Sequence, residues 1–215
     1  MNSRQVLEML DSNRIEELRK KLQDDIYQKS LKTKAGAKQR YTYMKKYFKY
    51  HTSARQCLQR PAKIKFEGED YISFTNSWSL VLTKEDCGEI ELFNEEENGK
   101  YPDVGRLIRF DGIKKKIDFN DVIAQAKAKG YRLNKKEVEH EFKYLMLYDG
   151  TYYKIGLIDI SFGIIDDGEI AITSHPDGQK MPMTIQTSLG CAMIMPVKFD
   201  GEPDEEKTVI EIPCD

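Results

Sequence analysis

Apolar positions along this chain change period at Pro61. Before it they recur every three to four residues. After it they mostly alternate. Ile15, Leu18, Leu22 and Ile26 fall on one face of a helix, and Asn13 with Glu16 three residues later forms a capping-box-like start. A short helix over Ser3–Leu10 precedes it. Thr33–Lys38 contains Gly36 and reads as a hinge. A second helix runs over Ala37–Gln56, and Pro61 closes the region. Tyr41, Met44, Phe48, His51 and Ala54 share its apolar side. Period-two patterning then predicts strands at Ala62–Phe66, Asp70–Phe74, Leu80–Thr83 and Glu89–Phe93, with turns at Glu67-Gly68 and Asn76-Ser77.

Further along, Glu95–Gly99 reads as an acidic loop and Ile113–Phe119 as a strand. Asn120 caps a helix over Asp121–Lys129, which Gly130 ends. Val138–Leu147 reads as a strand. Asp149-Gly150 is the strongest hairpin signal, with Tyr152–Ile155 returning. Gly156–Ile165 is apolar on nearly every side, so it is a buried short helix or strand. Glu169–Ser174, Met183–Thr187 and Ala192–Lys198 follow as strands, and Thr208–Ile212 as a last one. Helices and strands mix without regular βαβ alternation. The fold class expected is α+β with largely antiparallel sheets and an N-terminal helical extension. The chain divides as 1–34 (helical extension), 35–100 and 101–200 (two mixed halves) and 201–215 (acidic tail).

Charge sharpens this division. Between Arg14 and Lys63 there are fifteen Lys/Arg and four Asp/Glu; from Ile64 onward there are eighteen and thirty. The net charge of −2 conceals this split. A basic stripe on an acidic body suits a polyanion held by one face, although a solvated amphipathic helix has the same composition. The tyrosines between the lysines follow the apolar side, which favours core packing over base stacking. No apolar run approaches the roughly 20 residues that span a bilayer. The first residues lack the apolar centre of a signal peptide. Four scattered cysteines (Cys57, Cys87, Cys191, Cys214) form no C-x-x-C pair and fit a reducing compartment. A cytoplasmic protein without membrane contact is expected.

Candidate chemistry is sparse. His140 lies among Glu137, Glu139 and Glu141, but in a strand those carboxylates would face away from it. His51 reads as packing and His175 sits in a Pro-Asp-Gly turn. Asp166 and Asp167 begin a turn rather than a carboxylate pair with partners. Cys191 has no basic neighbour and reads as packing. No phosphate-binding glycine loop or nucleophile elbow is present. The expectation is a protein without catalytic residues, bound metal or cofactor.

Three segments resemble the pieces that build one pocket in bacterial DNA sliding clamps, the polymerase III beta-subunit family. Thr75-Asn76-Ser77-Trp78-Ser79-Leu80, after the strand YISF, resembles the clamp's T-D-G-h-R-L. Tyr101-Pro102-Asp103-Val104-Gly105-Arg106-Leu107-Ile108 is similar to its F-P-D-y-x-R-v-[IL] linker. Met195-Pro196-Val197-Lys198 resembles its terminal M-P-[MV]-[RK]. Asn76, Ser77 and Ser79 replace the first motif's Asp, Gly and Arg, and Arg109 replaces a final Pro. The first two motifs lie closer together than in a full clamp, and Asp200–Asp215 extends past the third. The resemblance covers roughly residues 37–199.

The resemblance implies clamp-like antiparallel sheets backed by helices, in a reduced processivity factor of phage or mobile-element type that acts in DNA replication. It implies sequence-independent binding of duplex DNA through Lys38, Arg40, Lys45, Lys46, Lys49, Lys127 and Lys129. It also implies a groove for a polymerase-type peptide, walled by Thr75, Ser77, Trp78, Leu80, Pro102, Arg106, Leu107, Met195, Pro196 and Val197. A ring would require a homo-oligomer. The alternative from charge alone is a protein–protein adaptor, whose basic helix binds an acidic partner or a second copy without nucleic acid.

Overall fold

The structure is a computed structural model that describes residues 14–30, 36–50, 55, 58–108, 110, 113–140, 143–166, 171–174, 182–197, 203 and 206–213. The helix expected over Ser3–Leu10, the cap at Asn13, and His51, Ala54, Cys57, His175, Lys198 and Cys214 lie outside them. So do the side chains of Glu139, His140 and Glu141.

Helix α1 (Ile15–Ser30) and helix α2 (Ala37–Lys49) precede three strands, β1 (Ala62–Phe66), β2 (Glu69–Thr75) and β3 (Ser79–Thr83). Gly36 takes the N-cap of α2 with φ of 70°, a conformation that suits glycine. Short helix α3 (Glu95–Asn98), strand β4 (Ile113–Lys115) and helix α4 (Phe119–Ala128) follow. Then come β5 (Tyr144–Tyr148), β6 (Thr151–Lys154), α5 (Ile155–Ile165), β7 (Ala171–Ser174), β8 (Met183–Thr187), β9 (Gly190–Ile194) and β10 (Thr208–Glu211).

Seven strands form one antiparallel sheet in the order β1-β2-β3-β9-β8-β7-β4. The order has an internal symmetry. A helix followed by a three-strand meander occurs twice, as α2-β1-β2-β3 and as α5-β7-β8-β9. The last strands of the two meanders pair with each other, Ser79 opposite Ile194 and Thr83 opposite Gly190. A side chain at Gly190 would put its Cβ 2.0 Å from the Leu82 carbonyl oxygen, so this central pairing requires glycine there.

Alternation along the strands sends side chains to two cores. Phe74, Val81, Ile185, Ala192 and Ile194 meet the helices on one face. Leu80, Leu82, Cys191 and Met193 join Phe93, Tyr101, Val104 and Ile108 on the other. The segment from Phe93 to Phe110 therefore covers the β1-β2-β3-β9 part of the sheet. Helix α5 is buried at every one of its 11 positions. It lies against α2, α4, the large sheet and a second sheet of order β10-β5-β6.

Several sequence expectations need correction. Glu89–Phe93 forms no strand; it turns past Pro61, whose carbonyl accepts from the Phe93 amide. The acidic loop contains α3, capped by Asn94, whose side chain accepts from the Glu96 amide. The strand expected to Phe119 stops at Lys115, because Asp118, not Asn120, caps α4 by accepting from the Asp121 amide. Val138–Leu147 is not one strand: Lys136–His140 is a π-helical turn and only Tyr144–Tyr148 is extended. Glu137 is therefore buried in a helical turn rather than placed on a strand face. Asp149-Gly150 is the expected hairpin, with φ of 49° and 65°. The ambiguous Gly156–Ile165 is helix α5. Residues 201–215 are not wholly a tail, because β10 pairs in parallel with β5 and buries Ile210. Helix α1 does not bury its apolar stripe: Leu18 is enclosed, but Ile15, Leu22 and Ile26 are exposed.

Candidate nucleic-acid and partner interface

Helix α2 is anchored by its apolar side. Tyr47 is fully buried and its hydroxyl donates to the Ser79 carbonyl at 3.0 Å. Tyr43 reaches across to Asp159 of α5 at 3.0 Å, over Gly163, where a Cβ would strike the Tyr43 ring. Asp159 also accepts from Tyr131 at 3.0 Å, so two phenols hold this buried carboxylate. The aromatic residues of the basic helix are thus structural. Burial, followed by the charge of Asp159, pushes the hydroxyls of Tyr43 and Tyr131 far above the usual tyrosine range.

The opposite side of α2 faces water. Lys38, Thr42, Lys45 and Lys49 stand four, three and four residues apart, so they form one stripe about 16 Å long. All four are exposed, and Lys46 flanks them half-buried. Lys45 lies 4.7 Å from the Tyr41 ring centroid and 3.2 Å from Asp24 of α1. Burial pushes the Asp24 carboxyl up, but hydrogen bonds from Tyr41, Gln28 and Lys45 outweigh it and hold the group below its ordinary value. Lys46 lies over the Tyr43 ring. Lys38 and Lys49 make no ion pair with a described residue.

Arg40 does not share the exposure of these lysines. It is 9% exposed, pairs with Glu85 at 3.0 Å and donates to the Asp166 carbonyl. Its guanidinium closes the α2 N-terminus against the sheet. Lys127 and Lys129 are exposed at the end of α4, and Lys129 donates to the Val209 carbonyl. Both α2 and α4 rest on α5, which contributes no cation.

The first and third motifs meet at the β2–β3 turn, while the second runs along β1 on the outer face of the sheet, so the three do not form one open groove. Asn76 accepts from the amides of Trp78 and Ser79 and from the Ser79 hydroxyl, and Ser77 takes φ of 69°. This turn presents the Trp78 carbonyl to the Met195 amide at 2.8 Å, joining the first motif to the third. The Val197 amide then bonds to the Tyr152 carbonyl at 2.8 Å. The second motif reaches the same core by Val104 and Ile108, while Tyr101 bonds to Ser73. Thr75, Leu80, Pro196 and Val197 are buried and serve packing. Trp78 and Leu107 are about half exposed, and Pro102 and Arg106 are exposed. Pro102 lines a cavity of about 270 Å³ whose walls come from β1, Phe93 and Val104, not from Trp78 or Pro196.

Lys154 has no signal in the sequence pattern, yet it underlies this end of the molecule. It is 4% exposed and its ammonium lies 4.9 Å from the Trp78 ring centroid. Burial lowers its pKa, and Glu137 opposes that shift. Only the fold, which sets the end of β6 under the β2–β3 turn, brings Lys154 and Trp78 together. Cys191 is buried with its thiol pushed up to about 12, and Cys87 to about 11, by desolvation. Among the described residues no group of His, Cys, Asp and Glu is placed to hold a metal ion, and no helix is long and apolar enough to cross a membrane.

These features define an α+β protein whose exposed chemistry includes a stripe of lysines on α2. No protein-family model matches the chain, and no curated protein or solved structure matches it.

Proposed function

We propose that this protein is a non-catalytic, clamp-like DNA-binding module that holds duplex DNA without reading sequence. The observation that supports the reading is the paired helix-and-meander arrangement, with a lysine stripe on the outer side of one of its two helices. Phosphate contact needs long, mobile cations on a surface of the right length, and no base-reading groups. Lys38, Lys45, Lys46 and Lys49 meet that requirement, with Lys127 and Lys129 as a second group. The acidic remainder of the chain disfavours DNA elsewhere. Trp78 and Met195, joined through their backbones, offer an apolar contact for a partner peptide of the polymerase type.

The buried state of α5 shapes the proposal. In this molecule only one helix of the pair can face a duplex, so the contact is a single stripe rather than a two-helix lining. Multiple copies would be needed to surround DNA. The test is binding of a labelled 30-base-pair duplex at two salt concentrations, with Lys38, Lys45, Lys46 and Lys49 changed to Glu in a comparison protein. Salt-sensitive binding that disappears in the variant, with the circular dichroism spectrum unchanged, supports the reading. Absence of binding at low salt overturns it.

A second reading, an adaptor whose basic helix α2 binds an acidic partner or a second copy without nucleic acid, draws on the same exposed lysines. It predicts self-association or capture of an acidic protein that does not respond to DNA.

A further inference from the structure

Strand β1 is an outer edge of the seven-stranded sheet, and its register shows which backbone groups face outward. Glu67 and Gly68 both have positive φ, 51° and 83°, the signature of a type I′ two-residue turn. Phe66 and Glu69 are then the closing pair that exchanges both hydrogen bonds. Alternation makes Ile64–Tyr71 and Ala62–Ser73 the next such pairs. Lys63 and Lys65 therefore turn their amides and carbonyls away from β2, toward the side on which no described strand pairs, while the next outward carbonyl, that of Pro61, accepts from the Phe93 amide.

The side chains of this strand divide by face. Ala62, Ile64 and Phe66 join the apolar core under the Phe93–Phe110 segment. Lys63 and Lys65 lie on the other face and are exposed. A concavity borders β1 on each side. One, of about 270 Å³, has Ala62, Ile64, Phe93 and Val104 in its wall. The other, of about 520 Å³, is lined by Lys63, Lys65, Ile72 and Thr83 and further in by Asp70, Asp86 and the Arg40-paired Glu85, so the two lysines are the cations nearest the edge.

We infer that β1 accepts an added strand from a partner whose side chains alternate between acidic and apolar. Such a segment exchanges backbone hydrogen bonds with Lys63 and Lys65. Its apolar residues extend the row of Ala62, Ile64 and Phe66, and its carboxylates lie beside the two lysines. A second copy of this chain is the poorer occupant. Antiparallel pairing of β1 with itself about Ile64 sets Lys63 of one copy against Lys65 of the other, twice. Like charges directly opposite destabilise a strand pair, and edge lysines are a common device against self-pairing. The same lysines that reject a second copy attract an acidic strand. This site does not depend on the DNA reading, because it uses the sheet edge rather than α2.

The probe is an acetylated, amidated heptapeptide of alternating glutamate and valine, titrated to millimolar concentration into the full-length, nitrogen-15-labelled protein. The expected result is a saturable change in the amide resonances of Lys63 and Lys65, with at least tenfold slower hydrogen exchange at both. A lysine–valine copy, and a copy N-methylated at alternate residues, should bind at least tenfold more weakly. Lys65→Pro removes one outward amide without touching the β1–β2 ladder. It should weaken binding at least tenfold, while Lys63→Gln, which keeps the amide, should weaken it less. The circular dichroism of each variant checks the fold. No response at Lys63 and Lys65, or equal binding of the acidic and basic peptides, overturns the inference. So does equal binding of the N-methylated copy. Movement of the same resonances with protein concentration alone would assign the edge to a second copy and overturn it too.

Discussion

Helices α2 and α5 occupy matching places on two three-strand meanders, yet they have opposite surfaces. Helix α2 buries Tyr41, Met44 and Tyr47 and gives water a row of lysines. Helix α5 is enclosed on all sides, by α4 and a second sheet as well as by α2 and the large sheet. A helix with two chemically distinct sides can hold the fold and meet a partner at once. A helix without a polar side can only hold the fold. Under the proposed reading, recognition falls to the α2 half and rigidity to the α5 half, although their topology is the same.

Alkaline pH should act most strongly on the buried side of α2 and the tyrosines packed beside α5. Burial is the first cause that raises the pKa values of Tyr41, Tyr43, Tyr47, Tyr131 and Tyr153, and it pushes Tyr27 up to about 12. Each folded pKa lies above the unfolded value near 10. Their contribution is fully present below about pH 10 and is lost as pH rises toward the folded values. Circular dichroism and phenolate absorbance should therefore change together in one cooperative step above pH 10. Smooth, independent titration of all tyrosines with the fold intact would contradict the burial assigned to α2 and α5.

The largest single-residue effect is expected at Asp159. Alanine there leaves the hydroxyls of Tyr43 and Tyr131 without their acceptor, at a cost of about 2–4 kcal/mol in urea unfolding. Gly163→Ala should cost about 1–3 kcal/mol, because the new methyl meets the Tyr43 ring where α2 crosses α5. If either change leaves the denaturation midpoint in place, the α2–α5 contact is looser than described. Asp24→Asn should have the smallest effect on stability and act instead on the wet side of α2. It releases Lys45 from an ion pair and should raise duplex affinity by about two- to threefold, within the range of a surface pair.

The sequence pattern marked most strands of the large sheet because their alternation is undisturbed. Met183–Thr187 and the Asp149-Gly150 turn were legible from local chemistry alone. Glu89–Phe93 alternates like a strand, but its Phe93 is drawn into the outer core beside Pro61 and no ladder forms. Helix α5 was ambiguous because a segment apolar on every side has no period to read. The lysine stripe was legible in the 3.6-residue repeat, whereas the loss of Arg40 to Glu85, forty-five positions away, was not. Lys154 beneath Trp78 depends on how the second sheet docks, which no local pattern encodes.

Duplex contact through Lys38, Lys45, Lys46 and Lys49 is read out by the salt dependence of binding. Each phosphate contact adds about 0.9 to the slope of log affinity against log salt. The protein should show a slope of magnitude about 2–4, and Lys38→Glu with Lys49→Glu should reduce it by about 2 without changing unfolding. A slope near zero, or one unchanged in that double variant, would contradict the assignment of DNA binding to α2.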